Sequence, residues 1–325
     1  MKKILLGILV LVVVVVGGAA VFLSTKSPAQ RPPPDIKAEA TPERLERGRY
    51  LAENVSSCVH CHSATDKTKF GMPYKEETKG AGGECWTKDN GFTGTLCAPN
   101  ITPHPEDGLG KWTDGEIARA IREGVDKDGQ ALFAIMPYAS YRHMSDEDAL
   151  SVVAYLRSLP AVAGKQPERQ LDMPLPIVVK FMPQPLTGPV AAPNKDDKVA
   201  YGKYLVDIAG CEQCHTPQNE QHQPVPGKAF AGGNRFQTGK NSVVVSSNIT
   251  PHESGLGGRT RENFIAMFKA YASPESQNVA VAPEKNTVMP WLKMAGMTEE
   301  DLGAIYDYLR TVPAVENKVE KFQTL

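Results

Sequence analysis

Five residues, Cys58-Val59-His60-Cys61-His62, return 153 residues later as Cys211-Glu212-Gln213-Cys214-His215. The chain thus carries twice the Cys-x-x-Cys-His signal for covalent c-type haem attachment. Two thiols three positions apart on one helical turn can form thioether bonds to the edge of a haem. The residue that follows, His62 or His215, is then held beneath the iron as its proximal ligand. A zinc knuckle and a thioredoxin-like redox pair share the Cys-x-x-Cys core. A zinc ribbon needs a second pair within about 15 to 20 residues, and neither motif has one. A thioredoxin site gives no reason for a trailing His. The expectation is two covalently bound haem c groups, one on Cys58 and Cys61 and one on Cys211 and Cys214.

The duplication extends well beyond the motifs. Tyr155-Leu156-Arg157 returns as Tyr308-Leu309-Arg310 and Pro160-Ala161-Val162 as Pro313-Ala314-Val315, both at an offset of 153. Asn100-Ile101-Thr102-Pro103-His104 returns as Asn248-Ile249-Thr250-Pro251-His252 at 148, and Gly48-Arg49-Tyr50-Leu51 as Gly202-Lys203-Tyr204-Leu205 at 154. A repeat of that length is a whole domain with its own core. The division that follows is a first haem domain over 42–163 and a second over 199–325. Residues 164–198, with seven prolines beginning at Pro167, cannot form a long helix and read as the interdomain linker.

Ahead of the first domain, Lys2 and Lys3 precede an apolar run from Ile4 to Leu23, long enough to cross a bilayer as a helix and oriented with its amino terminus in the cytoplasm. A cleaved signal peptide is the alternative, with Gly18 and Ala20 as small residues near a cleavage point. The run is longer than an ordinary signal core, which favours an uncleaved anchor over residues 1–23. Either reading exports the body of the protein, in keeping with cysteines that belong to an oxidising compartment. The expected location is the bacterial inner membrane, with the haem domains in the periplasm. Residues 24–41, with Pro28, Pro32, Pro33 and Pro34, have the composition of an extended tether that holds the domains off the membrane. The net charge of −1 offers no basic patch for nucleic acid.

Within each domain the pattern is that of short helices broken by glycine-rich loops, so the expected class is all-α: two tandem cytochrome c-like domains behind a transmembrane helix. Thr41-Pro42 starts a helix by the cap and first-turn proline rule. Thr113 with Glu116, Ser145 with Asp148, and Thr298 with Asp301 have capping-box spacing. Gly48 and Gly202 would let the first helix of each domain cross the last closely, with Tyr155 or Tyr308 at the contact.

The sixth position on each iron needs a ligand, and thioether sulfur is a soft donor that raises the potential. Met-Pro occurs at Met72, Met136, Met173, Met182 and Met289. Register chooses among them: Met136 lies 78 residues after Cys58, and Met289 lies 78 after Cys211. His104 and His252 are also repeated, but they sit in turns where an imidazole ordinarily braces the loop. His60, His143 and His222 lack partners and read as surface or loop residues. The two Asn-Ile-Thr triplets match a glycosylation sequon, yet their repetition favours local bonding. Cys85 and Cys97 remain, in a glycine-rich loop of the first domain. A disulfide is the expected state; a thiolate bound to the first haem is the sharper alternative.

The string Asn100 through Gly108-Leu109-Gly110-Lys111-Trp112-Thr113, with Met136-Pro137-Tyr138 and Ser145-Asp146-Glu147-Asp148, resembles the class I cytochrome c domains of membrane-bound bacterial alcohol and gluconate dehydrogenase cytochrome subunits. The resemblance implies an all-α haem fold, His/Met axial ligation by His62, Met136, His215 and Met289, and electron relay from a periplasmic dehydrogenase toward quinone or a terminal oxidase, with a quinol-oxidising complex as a further candidate redox partner. Those subunits resemble three-haem chains, whereas this one has two motifs, and in the second domain Gly-Lys-Trp-Thr has become Gly257-Gly258-Arg259-Thr260. The expected role is an electron carrier that needs no catalysis. The alternative is a dihaem enzyme, a peroxidase or a thiosulfate dehydrogenase, with one open or cysteine-ligated haem.

Overall fold

In the computed structural model, residues 2–221, 223–239 and 242–324 are described. A long helix α1 (Lys2–Thr25), exposed along most of its length, opens the chain. The first domain follows with α2 (Pro42–Tyr50), α3 (Cys58–Cys61), β1 (Cys85–Thr87), β2 (Gly94–Cys97), α4 (Asp114–Glu123), α5 (Tyr138–Tyr141) and α6 (Asp146–Ser158). The connector holds β3 (Gln170–Leu171) and α7 (Leu175–Val178). The second domain holds α8 (Lys198–Ile208), α9 (Cys211–His215), β4 (Arg235–Gly239), β5 (Ser242–Val245), α10 (Arg261–Lys269), α11 (Trp291–Met294), α12 (Glu299–Leu309) and β6 (Phe322–Thr324).

Helices make the core of each domain, and the first and last of them cross in contact. A Cβ on Gly48 would lie 1.9 Å from the carbonyl oxygen of Ser151 and 2.7 Å from Tyr155 Cβ; on Gly202 it would lie 1.9 Å from the Ala304 carbonyl and 3.0 Å from Tyr308 Cβ. Only glycine admits such an approach, and the two crossings are copies of each other. The chain is not purely helical, however. Each domain adds a three-stranded antiparallel sheet, β1-β2-β3 and β4-β5-β6. The stretch from Gly80 to Gly94, expected as a loop, contains strand β1. It pairs with β2 so that Cys85 stands opposite Cys97, and the two are joined by a disulfide.

The caps show one expected arrangement and one unexpected. Thr113 and Glu116 close a reciprocal capping box on α4. Ser145 and Thr298 cap α6 and α12 by accepting from the amides of Asp148 and Asp301, at 3.1 Å each. The aspartate carboxylates do not return to the cap amides. They are taken by tyrosines of the opposite domain: Tyr50 Oη donates to Asp301 Oδ2 at 2.6 Å, and Tyr204 Oη to Asp148 Oδ2 at 2.5 Å. Each hydroxyl then accepts the cap amide, Thr298 N at 3.2 Å and Ser145 N at 3.1 Å. The second half of each box is thus supplied by the other domain. Arg47 adds a bidentate pair to Asp148 at 2.8 and 2.7 Å. The same position in the second domain is Tyr201, whose hydroxyl stands 3.5 Å from Asp301.

The tether is extended, as its prolines demand, and the connector is broken into β3, α7 and a short 3-10 turn, but neither hangs free. Arg31 pairs with Glu123 at 2.8 Å, Ala38 N donates to Asp114 at 2.8 Å, and Pro34 lies against Gly115. In the connector, Leu186 N donates to Glu123 at 3.2 Å and Arg142 to Gln184 at 2.7 Å. The tether was expected to be a spacer; instead it is laid along the first domain, because its backbone polar groups find partners there.

Candidate functional site

Each Cys-x-x-Cys-His segment is a single helical turn entered through a left-handed residue, Ser57 (φ 53°) before α3 and Gly210 (φ 68°) before α9. That sharp entry turns the chain from the long helix into the motif. His62 Nδ1 lies 2.6 Å from Pro99 O, and His215 Nδ1 lies 2.7 Å from Ser247 O. A carbonyl can only accept, so Nδ1 carries the proton and Nε2 keeps its lone pair for a metal. Burial pushes both imidazoles below their usual range, which keeps them neutral, the ligating form. The carbonyls belong to residues that directly precede Asn100 and Asn248, so one repeated loop sets both rings.

That loop is fixed from within. Asn100 Oδ1 accepts from Thr102 N and Oγ1 at 2.9 and 2.7 Å, and Asn248 Oδ1 from Thr250 N and Oγ1 at 2.9 and 2.8 Å. Both Nδ2 groups reach back to the end of their domain, at Val162 O and Val315 O, 2.8 Å each. The triplets are buried braces. His104 and His252 brace the same loops, accepting from Asp107 N and Ser254 N at 3.1 Å through Nδ1.

Cys58, Cys61, Cys211 and Cys214 form no disulfide and remain available for haem attachment, while Cys85 and Cys97 are consumed by their disulfide. Burial pushes Cys58 and Cys211 up to about 12 and Cys61 to about 11. Such thiols are protonated at neutral pH, unlike the activated thiolate of a dithiol redox site. Among the described residues no group of three or more His, Cys, Asp and Glu side chains converges to hold a metal ion, as a zinc knuckle would require. The donor set, two thiols and a neutral imidazole with its free nitrogen outward, fits a covalently attached haem.

Met136 and Met289 occupy matching turns, half-buried against the core. Tyr138 N donates to Met136 O and Trp291 N to Met289 O, both at 2.8 Å. The prolines that follow have nearly equal backbones, φ −82° and ψ 50° at Pro137, φ −79° and ψ 55° at Pro290. A second methionine pair keeps the same register and passed unnoticed in the sequence: Met144 and Met297, each 0% exposed, sit just before the caps of α6 and α12 as core filler. His143 is exposed, as expected. His60 is partly exposed, but its Nδ1 is buried without a partner, and burial with the nearby Lys293 charge lowers it to about 4. His222 lies outside the described residues.

The two motifs share one seam. Ser56 Oγ donates to Ile208 O at 3.0 Å, tying together the segments that lead into them, and the Cys61 thiol lies within the electrostatic reach of Cys214. Lys293 of α11 crosses the seam to lie 3.7 Å over the Tyr74 ring, with Glu53, Glu76 and Lys79 around it; its burial lowers it to about 8.

The sequence profile of the family described as Cytochrome c matches residues 45–160 and again 199–313. The chain is 30% identical over 283 residues to the cytochrome c subunit of a quinone alcohol dehydrogenase from Gluconobacter oxydans (strain 621H), covering 83% of this chain and 55% of that one. It is 29% identical over 292 residues to the gluconate 2-dehydrogenase cytochrome c subunit of Pantoea cypripedii, covering 85% and 61%. Against a diheme cytochrome c-type protein of Cereibacter sphaeroides the identity is 28% over 275 residues, covering 81% and 84%. The chain thus spans little more than half the length of the dehydrogenase subunits and most of the diheme protein. With both matched segments falling on the two helical domains, the chain belongs to the cytochrome c family, as a tandem pair of its domains with two covalently bound haem c.

Proposed function

We propose that this chain is a membrane-tethered periplasmic dihaem cytochrome that relays electrons between a respiratory or dehydrogenase donor and a downstream acceptor. Cys58 and Cys61 hold the first haem and Cys211 and Cys214 the second, with His62 and Met136, and His215 and Met289, as the axial pairs. Bound haem supplies reversible one-electron chemistry at its iron. The protein's share is to fix the ring nitrogens, present the thioethers, and keep water from the iron.

The observation that carries this reading is the matched setting of the two domains: the same carbonyl orients each histidine, and the same turn presents each methionine. Two saturated irons leave no open position for a substrate, which favours a carrier over an enzyme. The disulfide weighs the same way, since neither Cys85 nor Cys97 retains a thiolate to offer. The relatives that serve as cytochrome subunits of alcohol and gluconate dehydrogenases support a periplasmic dehydrogenase as donor. Quinone or a terminal oxidase completes the route as acceptor, and a quinol-oxidising complex would stand on the donor side. The 24-residue apolar α1, long enough to cross a membrane by length and composition, supports the anchor.

The test is the methionine-sulfur-to-ferric-iron charge-transfer band of the oxidised protein, normalised to total haem. Two methionine-ligated haems per chain are expected, with Met136→Leu and Met289→Leu each removing half of the band. A band worth one haem or none in the unaltered protein would overturn the saturated-carrier reading.

A further inference from the structure

The interdomain connector presents a second apolar surface where α1 ends. Met173, Val178, Phe181 and Met182 are 68%, 46%, 53% and 38% exposed. Four large apolar side chains are exposed within ten residues of one segment, and apolar surface gathered in this way is a candidate interaction surface. The same segment is fastened to the end of α1. Lys180 Nζ donates to Ser24 O at 2.7 Å and to Leu23 O at 3.4 Å. The Lys26 ammonium lies over two rings at once, Phe22 of α1 at 5.6 Å and Phe181 of the connector at 5.3 Å.

Depth follows from helix geometry. The run from Ile4 to Leu23 rises about 30 Å, which matches the ~30 Å hydrocarbon layer of a bilayer. Phe22 and Leu23 therefore fall at its outer boundary. Phe181, which shares a cation with Phe22, stands at the same level. Lys26 and Lys180 are then at headgroup height, where ammonium groups meet lipid phosphates while their stems lie along apolar surface.

We propose that residues 173–182 form a second membrane contact, in which Met173, Val178, Phe181 and Met182 enter the interfacial layer of the periplasmic leaflet beside α1. The proposal rests on the reading of α1 as a membrane anchor. The contact acts on the first domain as a whole, because tether and connector are both bonded to it through Glu123. The domain is thereby held against the lipid in one orientation instead of swinging on a leash, and its partners must approach from the remaining faces.

Full-length holoprotein in phospholipid nanodiscs tests this by nitroxide labels on single introduced cysteines, the native cysteines being engaged by haem or disulfide. Labels are placed at Val14→Cys within α1, at Val178→Cys in the connector, and at the exposed Glu299→Cys as the aqueous reference. Collisions with dissolved oxygen report lipid, and collisions with a water-soluble nickel chelate report water. The expected result is loss of chelate collisions at both 14 and 178 relative to 299. Protection at 14 with full chelate access at 178 overturns the second contact and leaves the anchor standing. Full chelate access at 14 overturns the anchor and the contact with it. Soret absorbance per chain, unchanged across the three variants, shows that labelling has not disturbed the haem domains.

Discussion

Removing one hydroxyl from either interdomain tyrosine should weaken the protein, and by unequal amounts. In Tyr50→Phe the buried Asp301 carboxylate loses its 2.6 Å donor and the Thr298 amide loses its acceptor. A hydrogen bond to a charged group contributes about 1.5–3 kcal/mol, and the freed Thr298 amide sits on an exposed cap where water can replace its acceptor. Among the described residues, the other hydroxyl bonded to that carboxylate is that of Tyr201, 3.5 Å away. A loss of about 3 kcal/mol is expected. In Tyr204→Phe the Asp148 carboxylate keeps both bonds from Arg47, at 2.8 and 2.7 Å. With that carboxylate still held, the loss is mainly that of the buried Ser145 amide's acceptor, about 1.5 kcal/mol. Guanidinium unfolding of the full-length holoprotein in detergent, followed by far-ultraviolet circular dichroism, reads the difference as a shift in midpoint at constant slope. Equal losses, or a larger loss at Tyr204, would refute the argument that Arg47 shields one side of the seam.

Gly48→Ala and Gly202→Ala should each cost about 2–4 kcal/mol, since a methyl group 1.9 Å from a backbone oxygen forces the helices of α2 and α6, or α8 and α12, apart; thermal unfolding checks this, and a loss under 1 kcal/mol would contradict the packing. Lys293 is lowered to about 8 by burial. Its unfolded form holds a proton up to about 10.4, so the unfolded chain binds more protons between those values and stability rises as pH climbs through that window. The midpoint of unfolding should increase from pH 8 to 10, and Lys293→Met should flatten that slope.

The two haem-attachment motifs were legible because haem attachment demands a fixed local spacing, and a duplicated chain lets one copy check the other. Met136 and Met289 were selected from five Met-Pro pairs by register alone. The glycines at 48 and 202 were legible for the same reason: a helix glycine repeated in both copies marks a close crossing. What escaped was whatever depends on the second domain being present. Asp148 and Asp301 have the spacing of capping-box acids, and nothing local shows that their carboxylates are claimed by Tyr204 and Tyr50 across the seam. His60 has no repeat partner and so reads as peripheral, yet its Nδ1 is buried at that seam beside Lys293. The prolines of the tether guarantee an extended path but say nothing of what the path lies against. Strand β1 is three residues long in glycine-rich surroundings, too short for any alternation to register.

The exchanged tyrosines and aspartates form a self-complementary seam, in which residue i of one half meets residue j of the other and j meets i. A lone copy of such a domain would carry everything needed to pair with itself as a two-fold dimer. In a dimer of identical subunits every substitution at the seam is felt twice, once on each side of the axis. In the fused chain it is felt once. The two halves are therefore free to drift apart at single positions while the exchange persists, and Arg47 facing one aspartate where Tyr201 faces the other is a departure of that kind. Covalent fusion converts a symmetric contact into one that can become directional, with two ends that a donor and an acceptor can tell apart.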